Sequence, residues 1–204
     1  MSWVDASRSV RGGDGERRLF SGFRTRHGKE RSKLGLERTE GTPELFPLLL
    51  NAAEQYLAQI GLSGLQRLGA ESADQRELEL EDVTAFIQVS GGIQGGFLFS
   101  VDHSLSRELA KRFMVEEIND VEAGQYAVEV VAEIANIVTA HSLREIEDLD
   151  IYLGNPLMLL SRDMGMRANV FQSQPYAAPH GRCRWIYIPK MDKAELASIV
   201  TVRG

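Results

Sequence analysis

VTAFIQVSGGIQGGFLFSV, residues 83–101, is the stretch whose reading decides the fold class. Val83 to Ser90 and Ile93 to Val101 are rich in β-branched and aromatic residues, as strands are. Gly91-Gly92 sits at their joint, which is a hairpin signal. A phosphate-cradling reading of GGIQGG would require a strand that leads into a helix. Here the glycines lead into another strand, so the hairpin is the better reading. Gly95-Gly96 then mark a bulge or a close packing contact.

Outward from this hairpin the chain alternates between helical and extended patterns. Upstream, Thr42-Pro43-Glu44 supplies a capping residue, a proline and an acid, all favoured where helices start. Phe46, Leu49, Leu50, Ala53, Leu57 and Ile60 follow at helical spacing, and Gly61 is placed to end the helix. Pro47 leaves open which residue begins it. Glu77 to Asp82 is acidic and alternates weakly with Leu78 and Leu80. Downstream, Asp102 or Ser104 can cap a short helix over Leu105 to Met114. An acidic connection, Val115 to Ala123, precedes a long helix ending near Ile146. Three strand candidates come next: Pro156 to Ser161, Met166 to Ser173 and Arg182 to Ile188, the last two separated by Pro175 to Gly181. Asp192 to Val200 reads as a short helix or strand. This order predicts α+β architecture, a largely antiparallel sheet with helices packed on one face.

Composition narrows the function classes. The chain has 204 residues, 43% hydrophobic and 25% charged, as in an ordinary globular protein. The net charge of −6 is unevenly placed. Residues 1–42 carry ten Lys/Arg against six Asp/Glu, a balance of +4, and residues 43–204 carry the compensating −10. Rich in Arg, Gly and Ser and without periodicity, residues 1–42 read as a flexible, solvated tail before a domain at 43–204. So acidic a domain argues against nucleic acid as a partner. No apolar run is long enough for a membrane span or a signal peptide, which predicts a cytoplasmic protein with no membrane partner. One cysteine, Cys183, excludes an internal disulfide framework and a cysteine metal cluster. Ser161, Ser173 and Cys183 have no His and acid suitably placed for nucleophilic chemistry.

The candidate site lies in AVEVVAEIANIVTAHSLREI, residues 127–146. At ~100° per residue Val130, Val131, Ile134, Ile137 and Val138 fall on one side. Glu129, Glu133, Asn136, Ala140 and Arg144 fall on the other. Glu133 and Asn136, three apart, are neighbours on that face. A mid-helix Asn runs against helix propensity and calls for a reason. Small Ala140 lets another surface approach closely, so Glu129, Ala140 and Arg144 are candidate partner-binding residues around the pair.

The run SGGIQGGFLFSVDHSLSRELAKRFM (90–114), followed by acidic residues and then AVEVVAEIANIVTA (127–140), resembles the CheX branch of the CheC/CheX/FliY chemotaxis phosphatase family. Its members share a Gly-marked strand pair, a short helix, a long helix bearing E-x-x-N, and a strand opened by Pro, as at Pro156. The resemblance implies that the long helix docks on a phosphorylated, CheY-like response regulator whose aspartyl phosphate is hydrolysed. The family's Glu and Asn correspond to Glu133 and Asn136. Glu133 would pair with the regulator's lysine and Asn136 would hold the attacking water in line. The regulator would bring its own Mg²⁺, so this chain needs no cofactor. Two positions depart from the pattern: Glu129 where Asp or Ser is frequent, and Ala140 where Gly is usual. The resemblance also implies a homodimer built through the sheet. The alternative function is a non-catalytic adaptor that binds a receiver domain or another signalling partner through the same face.

Overall fold

The computed structural model describes residues 44–69, 71–72, 77–144, 146, 149–160 and 162–202. The tail expected at residues 1–42 lies outside the described residues, as do Thr42 and Pro43 of the expected helix start. Helix α1 spans Leu45–Gln59, with Pro47 in its first turn, where a missing N–H costs nothing. Gly61, at φ +82°, ends it as expected.

Strands β1 (Gln66–Arg67), β2 (Glu71–Ser72) and β3 (Glu77–Glu79) lead to the hairpin, β4 (Val83–Gly91) and β5 (Gly95–Val101). Their pairing runs from Val83 opposite Val101 to Val89 opposite Gly95 with no slip. A bulge is therefore not the reason for Gly95-Gly96; a close contact is. A Cβ on Gly96 would lie 2.2 Å from Cε2 of the Phe86 ring, which is fully buried. Helix α2 (His103–Phe113) is capped by Asp102, whose Oδ1 accepts from the Leu105 N–H at 2.8 Å. Helix α3 follows at Asp120–Leu143.

After α3 come β6 (Ile151–Leu153), β7 (Leu157–Leu160), β8 (Met164–Arg167), β9 (Gln172–Ala178), β10 (Gly181–Pro189), α4 (Lys193–Ile199) and β11 (Val200–Val202). The main sheet runs β1-β9-β10-β5-β4-β6, with β2 also on β9 and β7 also on β4. Every pairing in it is antiparallel. A second sheet, β11-β8-β3, is separate.

Alternation along the strands divides the interior into two cores. On one side Ala85, Ile87, Phe97, Phe99, Cys183 and Trp185 meet α1, α2 and α3. Trp185 lies flat on Phe99 at 4.2 Å between ring centres, and Tyr187 stacks on Phe97 at 5.0 Å. Both aromatic side chains of β10 thus pack across the sheet on the rings of β5. On the other side Phe86, Leu98, Ile186 and Ile188 meet Leu78, Met166, Phe171 and Leu196. The three long helices thus share one face, while the small sheet and α4 cover part of the other.

Two readings of the sequence are corrected here. The strand expected over Met166 to Ser173 is two strands in different sheets, β8 and β9. Moreover, Pro175, read as part of a turn, lies inside β9. Arg67 pairs with Tyr176 and Glu71 with Ser173, so Gln174 and Pro175 face the break between β1 and β2. The Pro175 carbonyl accepts from the Leu68 N–H at 2.9 Å on that same side. The missing proline N–H therefore falls where no ladder partner waits.

Candidate functional site

The site is one face of α3, held from three directions. At its start Asn119 Oδ1 accepts from the N–H groups of Val121 and Glu122, at 2.9 and 3.1 Å. Glu122 Oε2 in turn accepts from the Asn119 N–H at 3.0 Å, completing a capping box. Lys111 of α2 reaches Asp120 at 2.5 Å, an exposed pair that fixes register more than it stabilises. Beneath, Val130, Val131, Ile134 and Val138 are buried against α1, α2 and the hairpin. Burial on that side leaves α3 little freedom to roll.

What remains outward is a stripe at three- and four-residue spacing: Glu122, Tyr126, Glu129, Glu133, Asn136, Ala140 and Arg144. Glu129, Glu133 and Arg144 are exposed, and Asn136 and Ala140 are half-buried. The structure therefore brings all five expected site residues onto one continuous face. Among the described residues, no side chain bonds Glu133 or Asn136. A carboxylate that only accepts stands beside a carboxamide that donates twice and accepts once. Both are free to meet an incoming group.

Ile137 is a correction. Expected on the buried side, it is half-exposed and borders Glu133. Its helical angle, ~40° from Glu133 at 100° per residue, puts it at the edge of the polar stripe. Two aromatic neighbours escaped the sequence reading. Tyr126, 43% exposed, stands seven residues before Glu133 and so on the same stripe. That register was the signal that could have found it. Tyr56 reaches the site from α1, and no local pattern could have announced it. Its ring meets His141 edge-on, 6.4 Å between centres. Burial first, and then the negative charge of Glu133, push the Tyr56 phenol above its ordinary value.

Elsewhere the chemistry is quiet. Burial raises the Cys183 thiol to about 12, with Asp102 and Glu81 adding to the effect, so it stays protonated and unreactive at neutral pH. No helix among the described residues is long and apolar enough to cross a membrane.

Comparison with known proteins bears on the fold and on its central segment. The model of the family described as "Chemotaxis phosphatase CheX" matches residues 83–178, which include the hairpin, α2, α3 and β9. None of the curated proteins matches. Among solved structures, the CheX protein of Vibrio vulnificus is 18% identical, with a TM-score of 0.59 over 72% of this chain and 99% of that one. A CheC-like superfamily protein from Shewanella sp. PV-4 gives 14% identity and a TM-score of 0.60, covering 71% of this chain and 96% of that chain. The CheX of a CheX–CheY–BeF₃–Mg²⁺ complex from Borrelia burgdorferi gives 15% and 0.55, with 72% and 97% covered. At such identities the structural likenesses show the fold, and the family match adds the sequence of the central segment. Residues 83–178 thus match the CheX family, and the chain has a CheC/CheX-like fold.

Proposed function

We propose that this protein dephosphorylates the aspartyl phosphate of a CheY-like response regulator. The observation that carries the reading is the adjacency of Glu133 and Asn136 on the outward stripe of α3, inside the segment that matches the family of chemotaxis phosphatases. The solved relative in complex with CheY, BeF₃ and Mg²⁺ supports a receiver domain as partner.

In this mechanism the regulator contributes Mg²⁺ and a lysine, and this chain contributes position. Phosphoryl transfer asks for an in-line nucleophile and neutralised charge more than for covalent help. Glu133 pairs with the regulator's lysine and fixes the register of the two surfaces. Asn136 accepts a hydrogen bond from the attacking water and aligns its oxygen with phosphorus. The water oxygen forms the new P–O bond and the bond to the aspartyl oxygen breaks. Inorganic phosphate leaves, and the aspartate is restored as a carboxylate. Glu129, Ala140 and Arg144 line the contact around this centre. The chain needs no cofactor of its own for these roles. The same reading includes a homodimer formed through an open sheet edge.

Glu129 favours a second reading. A long charged side chain stands one turn before Glu133, where the family often has Asp or Ser, and the domain then binds a receiver without hydrolysing it. The deciding experiment is phosphate release from Mg²⁺-loaded, acetyl-phosphate-charged receiver domains of the same genome. Faster release with the wild type, lost by roughly 10²-fold in Asn136→Ala while binding persists, is the expected result. Equal turnover by the two proteins removes the mechanism. Binding without any acceleration leaves the adaptor.

A further inference from the structure

Helix α1 has an outer face unlike that of its neighbour. The surface of α2 is charged, with Arg107, Glu108, Lys111 and Arg112 along it. The accessible residues of α1 include no lysine or arginine, and its single acid is Glu54. That carboxylate is already engaged: Arg67 Nε donates to it at 2.5 Å and the Tyr176 hydroxyl at 2.7 Å. Asn51, Gln55 and Gln59, spaced four apart and all exposed, form a row of carboxamides, with half-buried Tyr56 beside them. A solvent-facing helix ordinarily carries charge on its outer side. Depletion of charge together with a tyrosine is the composition of an interface centre.

The face also leads into the candidate site. Between α1 and the C-terminal end of α3 lies a groove of about 330 Å³ whose lining includes Asn51, Gln55, Tyr56 and His141. Tyr56 and His141 meet edge-on within its lining, and His141 stands two turns beyond Glu133 on the flank of α3 that faces α1. His141, which lines the groove, directly follows Ala140 of the stripe, so the groove opens beside the stripe's C-terminal part.

We propose that the receiver domain docks on both helices, α3 supplying the chemistry and the uncharged face of α1 setting the affinity. This rests on the phosphatase reading above and extends it. Burying carboxamides and a tyrosine against the partner costs little desolvation, whereas burying a charge there costs much. The sign of an added charge is therefore immaterial.

The test compares Gln55→Glu and Gln55→Lys with the wild type, using Ala197→Lys on exposed α4 as the control. Affinity is titrated with a beryllofluoride-charged, Mg²⁺-loaded receiver, and phosphate release gives kcat and KM. Both Gln55 variants are expected to raise Kd and KM at least tenfold with kcat, melting temperature and the control unmoved. Opposite effects of the two charges would mean long-range steering alone and overturn the proposal. Unchanged affinity, with Asn136→Ala still inactive, overturns it and leaves the phosphatase reading standing. A changed oligomeric state with unchanged receiver affinity assigns the face to a second copy, and also overturns it. A wild type that neither binds nor dephosphorylates any receiver of its genome removes both.

Discussion

Glu133 and Asn136 sit on the same stripe, yet they differ in burial. Asn136 is half-buried, which suits the proposed role of holding a water, because its carboxamide has few orientations to lose. Glu133 is exposed and stays solvated until a partner arrives. An ion pair at such a position yields about 1 kcal/mol or less in open solvent and more once a partner covers it. Glu133→Ala is therefore expected to weaken receiver binding about tenfold at low salt. The deficit should shrink as ionic strength rises from 0.05 to 0.5 M, because the Debye length falls from roughly 14 to 4 Å. Titration of the charged receiver at both salt concentrations checks this, and an affinity indifferent to the substitution rejects the pairing. The stripe itself was legible in the sequence because a 3.6-residue period is local information. Ile137 was misplaced because it lies where the apolar arc meets the polar one, and there only packing decides. Tyr56 was invisible for a deeper reason: it reaches Glu133 from a helix some eighty residues earlier in the chain.

At the scale of elements, the hairpin was legible and its glycines acquire a reason only in three dimensions. Gly96 faces the second core, where the Phe86 ring occupies the space a side chain would take. That ring is buried among Leu98, Ile186 and their neighbours and cannot swing aside cheaply. Gly96→Ala is expected to cost about 1–3 kcal/mol, the usual range for overpacking, read as a lower urea midpoint at unchanged slope. A second tie joins α1 to the sheet edge, where Glu54 accepts from Arg67 of β1 and Tyr176 of β9. Burial pushes the Glu54 carboxyl up, but the two hydrogen bonds and the Arg67 charge outweigh it and hold the group below its ordinary 4.5. A depressed carboxylate stabilises the fold above its unfolded value and loses that contribution as pH falls through its folded one. Glu54→Gln should consequently be less stable than the wild type at pH 7, and the gap should narrow below about pH 4.5, in urea midpoints measured across that range. A constant gap would mean that the carboxylate's charge has no part in the tie. Nothing local announced this cluster, nor the division of residues 164–178 between two sheets. Short strands β1, β2 and β6 likewise owe their existence to the partners they pair with, and two- or three-residue segments carry no period to read.

On the scale of the whole molecule, the main sheet is a wall with a core on each side and two unequal edges. One edge is formed by β1 and β2, two residues each, with a break between them. The other is formed by β6 and β7, which continue along β4 and present Tyr152, 64% exposed, and Leu160, 54% exposed. Alternation told which residues face inward, but not which strands stand last, since edge position depends on every pairing in the sheet. An edge with exposed apolar side chains and unpaired backbone invites a second copy, and natural edges guarded against this carry lysine or proline instead. The segment Leu157 to Leu160 has neither. A two-fold pairing through it would be self-complementary and closed, extending the sheet across the dimer. Leu160→Lys adds a charge to that edge without touching either core, so its melting temperature should stay near that of the isolated domain. Light scattering at micromolar concentration is then expected to give a dimer for the wild type and a monomer for Leu160→Lys. A monomeric wild type, or a dimer that survives the lysine, would exclude this edge as the seam.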